Sequence, residues 1–132
     1  MNLNRVIKSL HGTESPMSFP PKDVMDSVSK DSEGKPKMSE VPRETVRNVL
    51  INCLANYQVK DRKEIFYVNT TAEAILGAEG DTVELKEKFR KFLIEVVYAS
   101  TVQVNEKGEQ SGVYFSWVIS QVLAELGVKE EE

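Results

Sequence analysis

The sequence predicts an all-α protein: a small bundle of about four short helices, with a loosely structured N-terminal arm. Three observations carry this. Val83–Ser100 is the longest uninterrupted helical pattern in the chain. Three other stretches, Val41–Asn56, Asp61–Leu76 and Ser111 or Gly112 to Leu126, repeat apolar residues at steps of three and four, the period of one helix face. The connections between them are short, as in helices that pack on their chain neighbours.

The arm covers residues 1–40. Its first ten residues, MNLNRVIKSL, fit a short strand or a helical turn, anchored by Leu3, Val6, Ile7 and Leu10. A breaker zone with Gly12, Pro16, Pro20 and Pro21 follows, then the weakly patterned Lys22–Met38 ending in DSEGKPK. So little apolar area does not offset the ordering entropy by itself, so residues 11–40 are expected to be extended. Phe19, Val24, Met25 and Val28 are its candidates for docking on the core.

The helical domain spans residues 41–127. Pro42 suits the first position of the first helix, where its missing N–H costs nothing. Val46, Val49, Leu50, Cys53 and Leu54 form that helix's apolar face. In the second helix, Asp61 and Glu64 make a cap pair, Ile65, Val68, Ala72, Ile75 and Leu76 share a face, and Gly77 is a natural stop. In the third, Asp81 and Glu84 repeat the cap pattern, and Leu85, Phe89, Phe92, Leu93, Val96 and Val97 line the buried side. Each such side chain is worth roughly 1.5–3 kcal/mol when buried. Residues 101–115 read either as a short β-hairpin or as a loop, and the loop is favoured. The last helix buries Phe115, Val118, Ile119, Val122, Leu123 and Leu126, and Gly127 stops it. Residues 128–132 form an acidic tail.

Composition narrows the chemistry. The 132 residues are 40% hydrophobic and 29% charged, ordinary for one globular domain. A net charge of -4 argues against nucleic-acid binding driven by phosphate contacts. Cys53 is the one cysteine, which excludes an intrachain disulfide or a multi-cysteine zinc site. No apolar run reaches the roughly 20 residues of a membrane span, and no signal-peptide core is read at the N-terminus. GAEG at Gly77–Gly80 lacks the lysine and strand context of a phosphate loop. His11 sits in the breaker-rich arm, Cys53 on an apolar face, and the paired carboxylates at helix starts. No catalytic, metal or cofactor residue is therefore expected.

Two surfaces stand out. Tyr114, Phe115 and Trp117 are denser than one helix face needs. The group reads either as core, which is favoured, or as an interface; on the second reading Tyr114 and Trp117, with Tyr98, form a surface for a protein partner or for self-association. Lys60, Arg62, Lys63, Lys86, Arg90 and Lys91 make a basic group on the second and third helices, beside Tyr57, Phe66 and Tyr67. That group is an alternative nucleic-acid face, diluted by Glu84, Glu87 and Glu95.

The order of DSEGKPK, VRNVLINCLAN, a charged helix, VELKEKF and the closing SWVISQVLAEL resembles small helical proteins encoded by tailed bacteriophages and prophages. The resemblance covers roughly Asp31–Gly127. The long arm and the NEKGEQSG insertion depart from that pattern. Those proteins have no assigned activity, so no functional residues carry over. The resemblance implies only a phage-like origin and a small helical domain; the composition makes a reducing cytoplasm, that of the bacterial host, the default compartment. With no reactive constellation to set against it, the expected function is non-enzymatic contact with a host factor or self-assembly. The alternative is a nucleic-acid-binding accessory protein.

Overall fold

The computed structural model describes residues 1–128. Helices dominate its regular structure: α1 (Lys22–Asp26), α2 (Val46–Asn56), α3 (Arg62–Leu76), α4 (Glu87–Ala99) and α5 (Ser116–Glu125). β1 (Gln103–Val104) and β2 (Gln110–Ser111) pair antiparallel between α4 and α5. Among the described residues no helix is long and apolar enough to cross a membrane. Residues 129–132 of the expected acidic tail lie outside the described part.

α2 and α4 sit at the centre: each touches the other and both α3 and α5. The pattern of apolar residues explains this. Val46, Val49, Leu50, Cys53 and Leu54 of α2 are buried against Phe92, Leu93, Val96 and Val97 of α4, with Ile75 of α3 and Val118, Ile119 and Val122 of α5 closing the core. Tyr57 and Tyr67 set their rings edge-on to Phe92, with centroids 5.6 and 5.4 Å away.

The N-terminal segment joins this core through Leu3 and Ile7. Leu3 and Ile7 are 0% exposed. Their segment runs along the start of α2, where the carbonyls of Leu3 and Arg5 accept from the Arg47 and Val46 amides at 2.9 and 3.1 Å. Those are first-turn N–H groups that a helix cannot satisfy itself. Gln121 of α5 grips Lys8 through both its backbone amide and its carbonyl, and Glu125 accepts from the Asn2 amide and the Arg5 guanidinium. Of the four anchors read in this segment, Leu10 is instead exposed. In the rest of the arm Val28 is buried, while Phe19 is exposed.

Two helix starts differ from the sequence reading. α2 begins at Val46, with Thr45 accepting from the Asn48 amide. Pro42 lies before it in extended chain, its carbonyl taken by the Met17 amide at 2.8 Å. α4 begins at Glu87 with no side-chain cap, and Asp81 does not cap it. Residues 81–83 are held extended by the N-terminal segment: the Leu3 amide donates to the Asp81 carbonyl at 2.6 Å, and the Val83 amide to the Met1 carbonyl at 3.4 Å. Asp61 does cap α3, but Glu64 reaches the amide of Lys60, at 2.7 Å.

Residues 101–115 form the hairpin rather than the favoured loop, and its turn recurs twice in the arm. In Asn105–Glu109 the Asn105 side chain accepts from the amides of Lys107 and Glu109, both at 2.9 Å, and Gly108 takes φ 79°. Asp31–Lys35 repeats the arrangement with Gly34 at φ 80°, and Ser9–Thr13 with Gly12 at φ 82°. A Ser, Asp or Asn whose side chain bonds two and four residues on, with glycine at the left-handed position, is a local chemistry that closes a hairpin without help from the core.

Two arginines close helix ends. Arg47 donates to the Ile75 and Gly80 carbonyls at 2.7 and 2.9 Å, at and just beyond the end of α3. Arg90 donates to the Leu126 carbonyl at 2.8 Å, at the end of α5. The Ile75 and Leu126 carbonyls are among those a helix end leaves unpaired, and a cation there also meets the negative end of the helix dipole.

One local contact contributes to the acid dependence of stability. The Arg5 guanidinium, and then the Asn2 amide, hold the Glu125 carboxyl below its ordinary range. A lowered folded value means the contact contributes fully above the ordinary glutamate range and is lost as pH falls through the folded one. Glu125→Gln is therefore expected to flatten the loss of Tm on acidification below that range, measured by thermal unfolding across acid pH. Identical acid profiles for both proteins would contradict it.

Candidate functional site

A cleft of about 880 Å³ opens where the α2–α3 connection, the end of α4, the hairpin and the end of α5 meet. Ile94, Val113 and Leu123 are among its apolar lining, and Tyr57, Lys60, Glu95 and Tyr98 also line it. Tyr98 is 64% exposed. It follows Val96 and Val97 on α4, which are fully buried, so the helix turns its ring off the core and onto the cleft. Tyr57 donates its hydroxyl to Glu64 at 3.0 Å, and partial burial, then that carboxylate, push its pKa up to about 12. The phenol is therefore a neutral hydrogen-bonding group at ordinary pH.

Of the three residues expected on one partner surface, Tyr98 alone is fully on the surface. Tyr114 is 5% exposed and Phe115, expected in the core stripe, is 61% exposed. Gly112 at φ 88° ends the hairpin, and Val113 and Tyr114 both donate to the Ser100 carbonyl. α5 therefore starts only at Ser116, and the helical period cannot be carried back to Phe115. Trp117 is half-buried against the core with its ring stacked on Phe115, centroids 6.4 Å apart.

The basic group is partly dismantled. Arg90 is engaged with Leu126 and with Glu87, so it is a structural cap. Lys60, Arg62, Lys63, Lys86 and Lys91 are exposed, around the first turns of α3 and α4. Lys63 lies over the Tyr67 ring and Lys88 over the Phe89 ring, two aromatics that meet edge to face at 5.3 Å. Lys60 faces the cleft, which brings one residue of the expected basic face together with Tyr98 of the expected partner surface.

A buried polar cluster escaped the sequence reading. Glu44, 3% exposed, accepts from the Ser18 amide and hydroxyl and from the Asn48 side chain. The Ser18 hydroxyl and the Tyr114 hydroxyl are 2.7 Å apart, and Asn52 donates to Tyr114 at 2.9 Å. Burial raises the Tyr114 pKa, against the hydrogen bonds from Ser18 and Asn52. Part of the signal was present in the sequence: Asn48 and Asn52 are four residues apart on α2, a polar pair beside its apolar face, whereas Glu44 lies just before the helix and joins them through its extended backbone. Cys53 is buried in the core as expected, and burial pushes its thiol up to about 11, which keeps it protonated and a poor nucleophile. His11 is exposed in its turn. Among the described residues no group of three or more His, Cys, Asp or Glu is placed to hold a metal ion.

Compared with protein families, with curated proteins and with solved structures, the chain matches none.

Proposed function

We propose that the chain acts by protein–protein contact, as a non-enzymatic phage or prophage protein, and that the cleft beside Tyr98 receives an apolar side chain of the partner. The observation that carries this reading is the pairing of an open cleft of about 880 Å³ with an aromatic ring left 64% exposed at its side. An aromatic side chain of this kind supplies much of the energy of an interface when a partner removes it from water. Lys60 and Glu95 in the same lining give the partner a polar rim to orient against. The helices around α2 and α4, read as a four-helix bundle, form the rigid scaffold that holds the cleft. The phage setting rests on the resemblance of Asp31–Gly127, and the bacterial cytoplasm on the composition of the chain.

The test is Tyr98→Ala. The ring is exposed, so the variant is expected to keep the helical circular dichroism and Tm of the parent. Removing an interface anchor costs about 2 kcal/mol or more, so self-association or capture of a bacterial partner is expected to weaken by about 30-fold. Sedimentation over a range of concentrations separates self-association from binding of another protein. Unchanged sedimentation together with unchanged capture would show that the cleft is not the contact surface.

A further inference from the structure

Phe19 is the one residue other than glycine with positive φ among those described, at 48°. Its surroundings make this costlier than usual. It precedes Pro20, and a residue before proline is pushed towards extended backbone. A left-handed conformation disfavours an L residue by on the order of tenfold in population. The ring is exposed and meets Tyr114 at its edge, at 6.4 Å, so burial of the ring does not hold the conformation.

The residue before it does. The Ser18 amide donates to Glu44 at 2.9 Å, and its hydroxyl contacts Glu44 and Tyr114. Its carbonyl accepts from Asn48 and Asn52, at 3.1 and 3.5 Å. On its N-terminal side the chain is tied through backbone: Ser15 to Ile7 and Glu44, and Met17 to Pro42. Every polar atom of Ser18 is thus engaged by Glu44 just before α2, by Asn48 and Asn52 on α2 and by Tyr114, while the next residue is strained and exposed. Strain of this kind persists only where surrounding contacts over-determine it. We infer that Ser15–Phe19 is a strained strap that opens locally from α2, uncovering the row Glu44, Asn48, Asn52 and the Tyr114 hydroxyl while the helical core stays folded.

The strap is self-contained, because no apolar side chain within it is fully buried and its hold is a set of hydrogen bonds to groups that water can also satisfy. Opening relieves Phe19 and leaves the α2–α4 core, with Leu3 and Ile7, intact. The uncovered groups would be a carboxylate, two amides and a phenol, of which the carboxylate now takes the Ser18 N–H, the amides its C=O and the phenol its hydroxyl.

Native-state hydrogen exchange by NMR tests this on the full chain. The Ser18 amide reports the strap and the Val97 amide of α4 reports the core. The Ser18 amide is expected to have a protection factor at least tenfold lower than that of Val97. Phe19→Gly and Phe19→Ala both delete the ring, but only glycine relieves the left-handed backbone. Ser18 is therefore expected to be several-fold better protected in Phe19→Gly than in Phe19→Ala, with Val97 alike in both. Exchange of Ser18 in step with Val97 would show that the strap opens only with the whole domain and would overturn the inference. Equal or lower protection of Ser18 in Phe19→Gly would show that no strain is stored there and would overturn it equally.

Discussion

Leu3→Ala combined with Ile7→Ala is expected to unfold the domain or leave it marginal at room temperature. Both side chains are 0% exposed and pack in the one core cluster that holds α2, α4 and α5 together. Truncating a buried leucine or isoleucine costs about 2–5 kcal/mol, through lost transfer energy and the cavity left behind. A domain of this size has about 5–15 kcal/mol in total. The loss reaches beyond the two cavities. The same segment supplies the carbonyls that satisfy the first amides of α2, and it is clamped by Gln121 and Glu125 of α5. Loosening it exposes the start of the central helix. Leu10→Ala is the control: Leu10 is in the same arm but exposed, and a surface change of that kind stays within about 0.5 kcal/mol. Urea unfolding followed by circular dichroism would measure both. A double variant with the midpoint of the parent would show that Leu3 and Ile7 are outside the core.

This segment also marks where the sequence stops being legible. The faces of α2 and of the later turns of α4 were readable because their apolar residues recur at the helical period: Val46, Val49, Leu50, Cys53, Leu54, Phe92, Leu93, Val96 and Val97 are all buried, whereas Phe89 is half-buried and Leu85 falls before the helix. α3 was readable at its ends, from Asp61 and Gly77, but less so on its face: Ile65 and Leu76 are exposed, and Thr71 is buried in their place. The misplaced starts share one cause. Pro42, Asp81 and Glu84 are good local signals for a helix start, yet each stretch is held extended by a segment about 25 to 80 positions away, as bridges between Pro16 and Arg43 and between Asn2 and Thr82 show. Local propensity carries no information about such pairing. The sequence makes the hairpin the second choice to a loop for the opposite reason. Its signal was local and present three times, in Ser9–Gly12, Asp31–Gly34 and Asn105–Gly108, but it lies in turn chemistry rather than in strand alternation. At the site, Tyr98 was legible because it falls off the buried face of a long helix. Tyr114 was not, because its burial depends on a hydroxyl partner in the arm.

Glu44→Ala is the second change expected to matter most, by about 3 kcal/mol. The reason is the number of donors that would be left without an acceptor. Glu44 now receives the Ser18 amide, the Ser18 hydroxyl and the Asn48 side chain at a position 3% exposed to solvent. Alanine would leave these in a space that water enters poorly, and a buried polar group without a partner costs more than the net worth of the bond it made. Glu44→Gln keeps the shape and one acceptor, so it is expected to cost less, although its amide cannot accept from Asn48. Tyr114→Phe removes one hydroxyl from the same cluster, where it is shared with Ser18 and Asn52. Because both changes act through Ser18, the double variant is expected to lose less than the two single losses together, with a coupling of about 1 kcal/mol. Urea midpoints of the four proteins measure that coupling. Strict additivity would mean that Glu44 and Tyr114 hold the arm independently, and that the polar row of Glu44, Asn48 and Asn52 is a set of separate contacts rather than one cooperative clamp.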